Sequence, residues 1–146
     1  IVLNSGALTA SGSGDAIVLS GQSFQNEAGA AALSANSGRW LVWSANEDPF
    51  DLSTGDTRGG LVYGFKQYNA IYGTTSVEGS ENGFLYTLAP TLSSSLIDSA
   101  SKTYDGSSNI TTLTEANYGA ITGAVDGDTV KIYVNPDESE FEEEIV

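Results

Sequence analysis

The side chains able to do chemistry in this sequence are nearly all carboxylates and hydroxyls. Nineteen Asp and Glu stand against five Lys and Arg, for a formal charge of −14, and there is no His and no Cys. Without Cys there is no thiolate nucleophile, no disulfide and no Cys-ligated zinc or iron–sulfur centre. Without His, imidazole base catalysis and the common catalytic zinc and copper sites are gone. Glycoside hydrolysis needs only two carboxyls, roughly 5 to 9.5 Å apart. Nineteen acids supply such a pair somewhere in any fold, so their number singles out none. Lys66 and Lys102 lack the activating neighbours a lysine nucleophile requires. We expect no catalytic residue and no enzyme.

Binding chemistry is thin as well. Ca²⁺ takes several oxygen ligands, and Asp126-Gly127-Asp128, Asp48 with Asp51, and the acidic stretch at 137–146 are the candidate donors. None has the spacing of an EF-hand or of the glycine-rich nonapeptide that winds calcium-filled coils. Asp126 and Asp128 read better as turn residues, and no resident cofactor is expected. Asn109-Ile110-Thr111 is the one Asn-x-Ser/Thr sequon, which makes Asn109 the glycosylation candidate. Asp48-Pro49 reads as a turn. The acidic balance, pI near 4.1, removes the basic face that nucleic acid or an anionic membrane would need.

The elements carrying these residues are strands. Ile1-Val2-Leu3-Asn4 and Ile17-Val18-Leu19-Ser20 are sixteen residues apart, and sixteen more reach Leu33-Ser34-Ala35-Asn36. The same offset aligns Leu8, Phe24 and Trp40. Short β-branched runs broken by Gly, Ser and Asn argue against helix and for strands repeating in parallel. The spacing predicts rungs of about sixteen residues over 1–44, with Ile1/Ile17/Leu33 and Leu8/Phe24/Trp40 as vertical neighbours in a coil. The last rung of such a coil has an open edge, which something must cover.

Nine of the fourteen aromatics lie between Trp40 and Tyr86, with Arg39, Arg58 and Lys66 in or beside that stretch. Trp40 and Trp43 fall on opposite faces of one strand by count. Turn signals at Asp48-Pro49, Gly59-Gly60, Gly73 and Glu81-Asn82-Gly83 bracket strands at 61–65 and 84–88, with Asn82-Gly83 suited to a tight hairpin. A disulfide-free module needs such rings as core, so this stretch is expected to cap the coil. Arg39, Trp40, Trp43, Phe65, Tyr68 and Tyr86 are the residues expected to hold the junction.

These residues also carry a resemblance. Gly14-Asp15-Ala16-Ile17-Val18-Leu19, Gly38-Arg39-Trp40-Leu41-Val42-Trp43-Ser44, Phe65-Lys66-Gln67-Tyr68-Asn69-Ala70 and Gly83-Phe84-Leu85-Tyr86 resemble the filamentous-haemagglutinin-like exoproteins of two-partner secretion. Ser101-Lys102-Thr103-Tyr104-Asp105-Gly106 resembles the opening of the small "YDG" module strung along such adhesins. The resemblance implies an all-β chain: the last rungs of a right-handed parallel β-helix at 1–44, an aromatic capping junction at 45–95, and a sandwich-, immunoglobulin- or β-grasp-like module at 96–146. It implies a secreted Gram-negative surface protein, exported through an outer-membrane transporter, that meets a host or bacterial receptor or glycan in adhesion, aggregation or biofilm. The departure is at the end, where 137–146 holds six of the nineteen acids in place of the module's last strands. The chain begins without Met or a leader and reads as a piece of a longer polypeptide. Alternative expectations are a subunit of an extracellular filament joined by strand addition, and a carbohydrate-binding module.

Overall fold

The run Trp40-Leu41-Val42-Trp43 is apolar at every position, the pattern of a strand covered on both faces rather than one. In the computed structural model, which describes residues 1–97 and 114–132, it is the buried end of a strand in a parallel sheet. The chain divides into two compact units, Ile1–Ala89 and Pro90–Val146. The fold is all-β: among the described residues the only helix is a 3₁₀ turn at Glu115–Asn117.

The first unit contains β1 (Val2–Leu3), β2 (Leu8–Gly21), β3 (Gln25–Asn26), β4 (Leu33–Ser44), β5 (Phe65–Gln67) and β6 (Gly83–Tyr86). They form two parallel sheets, one ordered β1-β3 and the other β2-β4-β6-β5. A parallel bridge from Gln25 to Thr57 extends the smaller sheet. The first two passes, β1–β2 and β3–β4, therefore lie side by side with like direction, whereas β6 and not β5 lies next to β4, with β5 outermost. Parallel pairing requires long crossovers, and the fifteen residues between β5 and β6 supply one.

The register corrects the sixteen-residue expectation. Val2 pairs with Gln25, 23 positions on, and Leu8 pairs with Leu33, 25 positions on. Ile17 stands beside Trp40, not beside Ile1 or Leu33. Leu8, Phe24 and Trp40 form no ladder, for Leu8 is 43% exposed while Phe24 and Trp40 are buried. The drift from 25 to 23 occurs at irregularities between Ala10 and Ser13 and between Asp15 and Ile17. Extra residues absorbed by bulges make a fixed period impossible to hold.

Side chains alternate across the strands and so build two cores. Ile17, Phe24, Leu33, Trp40, Val42, Phe84 and Tyr86 cluster on one face, and Leu41, Trp43, Ala70 and Leu85 on the other. In parallel strands paired residues share a face, so Leu19, Val42, Phe84 and Lys66 form one column. Ser20, Trp43, Leu85 and Gln67 form the neighbouring one.

Two further expectations are corrected. The strands foreseen at 61–65 and 84–88 are Phe65–Gln67 and Gly83–Tyr86. Asn82-Gly83 is not a hairpin, because the strands it was to join run parallel. Asn82 instead accepts the Trp40 backbone N–H at 2.9 Å. Gly83 has no side chain because the Phe65 ring lies where its Cβ would stand, 2.2 Å away.

The second unit is antiparallel where it is described. Ser93 bridges Thr122 and Leu96 bridges Tyr118. A tight turn from Val125 to Asp128 closes with an Asp128 N–H to Val125 carbonyl bond of 3.0 Å. Asp126 and Gly127 both have positive φ, 54° and 69°, the geometry that favours Asp-Gly. Residues 101–106, Asn109 and the acidic stretch 137–146 lie outside the described residues.

Candidate functional site

The chemically dense part of the first unit is the end of the large sheet where β6 and β5 lie. β6 contributes Phe84 and Tyr86, both fully buried and stacked 6.2 Å apart at 10°. Around them stand other rings. Phe84 is met edge-on by Trp40 at 5.3 Å, by Phe24 at 5.8 Å and by Tyr63 at 5.1 Å. Phe50 meets Tyr86 at 5.0 Å, and Tyr68 stacks on Tyr86 at 6.1 Å. Edge-to-face geometry sets positive ring edges on negative faces.

Two cations close this cluster. The Arg58 guanidinium lies over Phe50, Tyr63, Phe84 and Tyr86 at 5.0, 5.4, 5.6 and 5.9 Å and donates to the Tyr63 hydroxyl at 2.8 Å. Lys66 Nζ is 5.9 Å from both the Phe50 and Tyr68 rings. Long basic side chains suit such a boundary: the stem covers apolar surface and the head stays at the water.

Hydrogen bonds tie the covering loops to the strands. Buried Asn26 donates to the Gly29 and Arg58 carbonyls at 2.9 and 3.0 Å and accepts from the Ala28 N–H at 3.0 Å. Gly59, at φ +59°, passes so close that a Cβ there would lie 2.4 Å from the Asn26 amide nitrogen. Gln67 donates to the Ser76 carbonyl and accepts from the Glu78 N–H, pinning the β5–β6 crossover. Arg39 pairs with Asp15 at 2.6 Å, the only ion pair among the described residues, and also donates to the Gly79 carbonyl.

Arg39, Trp40, Trp43, Phe65, Tyr68 and Tyr86 thus all lie in this one unit, but not in one cluster. Trp40, Tyr68 and Tyr86 belong to the larger core, and Trp43 and Phe65 to the smaller. Arg39 ties β2 to the β5–β6 crossover. Sequence reasoning noted Arg58 and Phe84 but did not assign Arg58, Phe50, Phe84 or Asn26 to the junction. The available signal for Arg58 was its rarity, one of five basic residues set inside the aromatic stretch. Asn26 had none.

A cleft of about 610 Å³ opens beside the strands, its lining including Ser37, Arg39, Tyr63, Glu81 and Asn82. It sets a guanidinium, a carboxylate and hydroxyls at one polar opening, groups that hydrogen-bond well to hydroxyl-rich ligands. Nearby loops hold carboxylates that act on the backbone. The Asp51 carboxylate accepts from the hydroxyls and N–H groups of Ser53 and Thr54, at 2.7 to 2.9 Å. The hydroxyl bonds from Ser53 and then Thr54, followed by the two backbone bonds, hold its pKa below the usual carboxylate range. Asp126 and Asp128 lie in the 125–128 turn of the second unit, and Asp48 and Asp51 belong to the first. Comparison with models of known protein families finds no match, and no curated protein or solved structure is significantly similar.

Proposed function

We propose that this chain is a non-catalytic structural segment of a secreted bacterial surface adhesin. The first unit is the terminal part of a right-handed parallel β-helix with its aromatic cap, and the second is the start of a YDG-type β module. The carrying observation is the parallel pairing of the first two passes in two sheets, β1 with β3 and β2 with β4, with the Trp40–Ser44 end of β4 buried and β5 short and charged at the outer edge. Such a stack is a one-dimensional object, stiff along its axis and extendable. The switch from parallel to antiparallel pairing between the units suits a shaft that ends and a jointed stalk that follows. The sequence resemblance supplies the biological setting: export through an outer-membrane transporter, display on a Gram-negative cell, and contact with a host or bacterial receptor or glycan.

The test is cell labelling. Antibody raised against the full chain should stain intact cells of the source organism, and its Fab fragments should reduce cell aggregation. Staining only after permeabilisation would refute the surface assignment.

A further inference from the structure

The aromatic cluster leaves little ring face for a ligand: Phe84 and Tyr86 are fully buried, and the Arg58 guanidinium lies over the Tyr63 ring. The cleft of about 610 Å³ beside it is built differently. Its volume is that of a small-ligand site, and its lining is mostly polar. Three of its side chains are held by bonds that lead out of the cleft. Asn82 Oδ1 accepts the Trp40 N–H at 2.9 Å, which leaves the two amide N–H donors for the opening. Arg39 is fixed by Asp15 and by the Gly79 carbonyl. The Tyr63 hydroxyl accepts from Arg58 at 2.8 Å and keeps its own proton to donate. Glu81 lies against Gly64, where a Cβ would run into its carboxylate. Polar groups oriented in advance lose little entropy when a ligand arrives.

The charges select the ligand. The Arg39 charge is already met by Asp15 at 2.6 Å, while Glu81 is exposed and has no ion-pair partner among the described residues. The opening is therefore acidic on balance, in a chain of formal charge −14, and repels sulfated, phosphorylated or sialylated ligands. A cationic ligand meets the Arg39 guanidinium on one wall, and Arg58 already lies over the Tyr63 ring. An apolar ligand finds Val62 as the lining's one aliphatic side chain. What fits is a neutral molecule that both gives and takes hydrogen bonds. We infer that this cleft binds a neutral oligosaccharide, whose adjacent ring hydroxyls donate to the Glu81 carboxylate and accept from the Asn82 amide. A carboxylate beside an amide suits a pair of neighbouring hydroxyls, since each hydroxyl donates and accepts. The Arg39 guanidinium and the Tyr63 hydroxyl bind further along the same ligand. This gives a place to the glycan contact in the adhesin reading, and rests on that reading for its setting.

The test is an NMR titration of the full chain with neutral oligosaccharides of glucose, galactose, mannose and N-acetylglucosamine, and with sulfated and sialylated counterparts. At least one neutral saccharide should shift the amides of residues 37–39, 62–64 and 80–82 in a saturable way, and its acidic counterpart should bind roughly tenfold more weakly. Glu81→Ala should weaken the neutral ligand roughly tenfold or more. Glu81→Gln, which keeps the shape and one acceptor, should recover part of that loss. The Glu81 side chain is exposed, so both variants should keep the Trp fluorescence of the folded first unit. Glu47→Ala removes an exposed carboxylate outside the lining and should change nothing. The proposal is overturned if no neutral saccharide shifts the cleft amides, or if acidic saccharides bind more tightly. It is equally overturned if Glu81→Ala binds like the parent, or if Glu47→Ala weakens binding as much. Cell labelling tests display alone and the titration tests the cleft alone, so the two fail separately.

Discussion

Replacing Trp40 by Ala tests the packing on which the closed end depends. The ring is 2% exposed and meets Phe84 edge-on at 5.3 Å. Its backbone N–H, not its ring, holds Asn82, so the substitution empties the core while leaving that anchor in place. Removing a buried Trp ring costs about 3–5 kcal/mol, of which roughly 0.5–1.5 belongs to the ring pairing. In a unit of this size about 1 kcal/mol moves Tm by roughly 4–8 °C, so the fall should exceed about 12 °C. Urea unfolding provides the free energy. Trp40 and Trp43 are the only tryptophans, so in Trp40→Ala the fluorescence of Trp43 reports the first unit alone. Leu52→Ala is the control: that side chain is fully exposed, and its loss should fall within about 0.5 kcal/mol. A Trp40→Ala midpoint within about 1 kcal/mol of the parent, at unchanged slope, would refute the packing argument.

Two more perturbations address the polar parts of the same unit. Arg58→Leu keeps the apolar stem and removes the charge over four rings, and should cost about 1–2 kcal/mol by urea unfolding. Arg58→Lys should recover only part, lacking the planar fork that reaches the Tyr63 hydroxyl, and full recovery would count against the ring arrangement. Asp51 has a folded pKa below its unfolded value, so its contribution is complete above the unfolded carboxylate range and fades as pH falls through the folded pKa. By NMR its carboxyl carbon should stay ionised at about pH 3 while ordinary carboxylates titrate, and Ser53→Ala should raise the midpoint; titration at the usual place would show those bonds absent in solution.

The strand character and the opposed faces of Trp40 and Trp43 were legible in residue types and in simple counting, while the parallel direction was expected from a sixteen-residue period that the register does not keep. The period was not, and the reason is structural. Ile1-Val2-Leu3 and Ile17-Val18-Leu19 resemble each other because both line the same core, yet they lie on one pass of chain in different sheets. Between Ile1 and Ile17 the sixteen-residue offset therefore measures the distance from one sheet to the other within a pass. The distance between passes is 23 to 25 residues, and bulges blur it further. Strand Phe65–Gln67 was displaced in the reading because its pairing with Gly83–Leu85 spans a crossover. No local pattern specifies which distant strand will lie alongside.

The distribution of positive charge carries the same logic to function. With five basic residues against nineteen acidic ones, any Lys or Arg placed in a core boundary is withheld from the surface. Arg39 is held by Asp15 and the Gly79 carbonyl, while Arg58 and Lys66 lie over rings. Arg58 and Lys66 thus serve the closed end of the sheet, while Arg39 ties β2 to the β5–β6 crossover. The opposite end has the reverse character: a long strand with one charge, that charge already engaged, and backbone groups turned outward. A sheet protected at one end and open at the other has a direction. That asymmetry supports the proposed reading of the first unit as the end of a parallel coil.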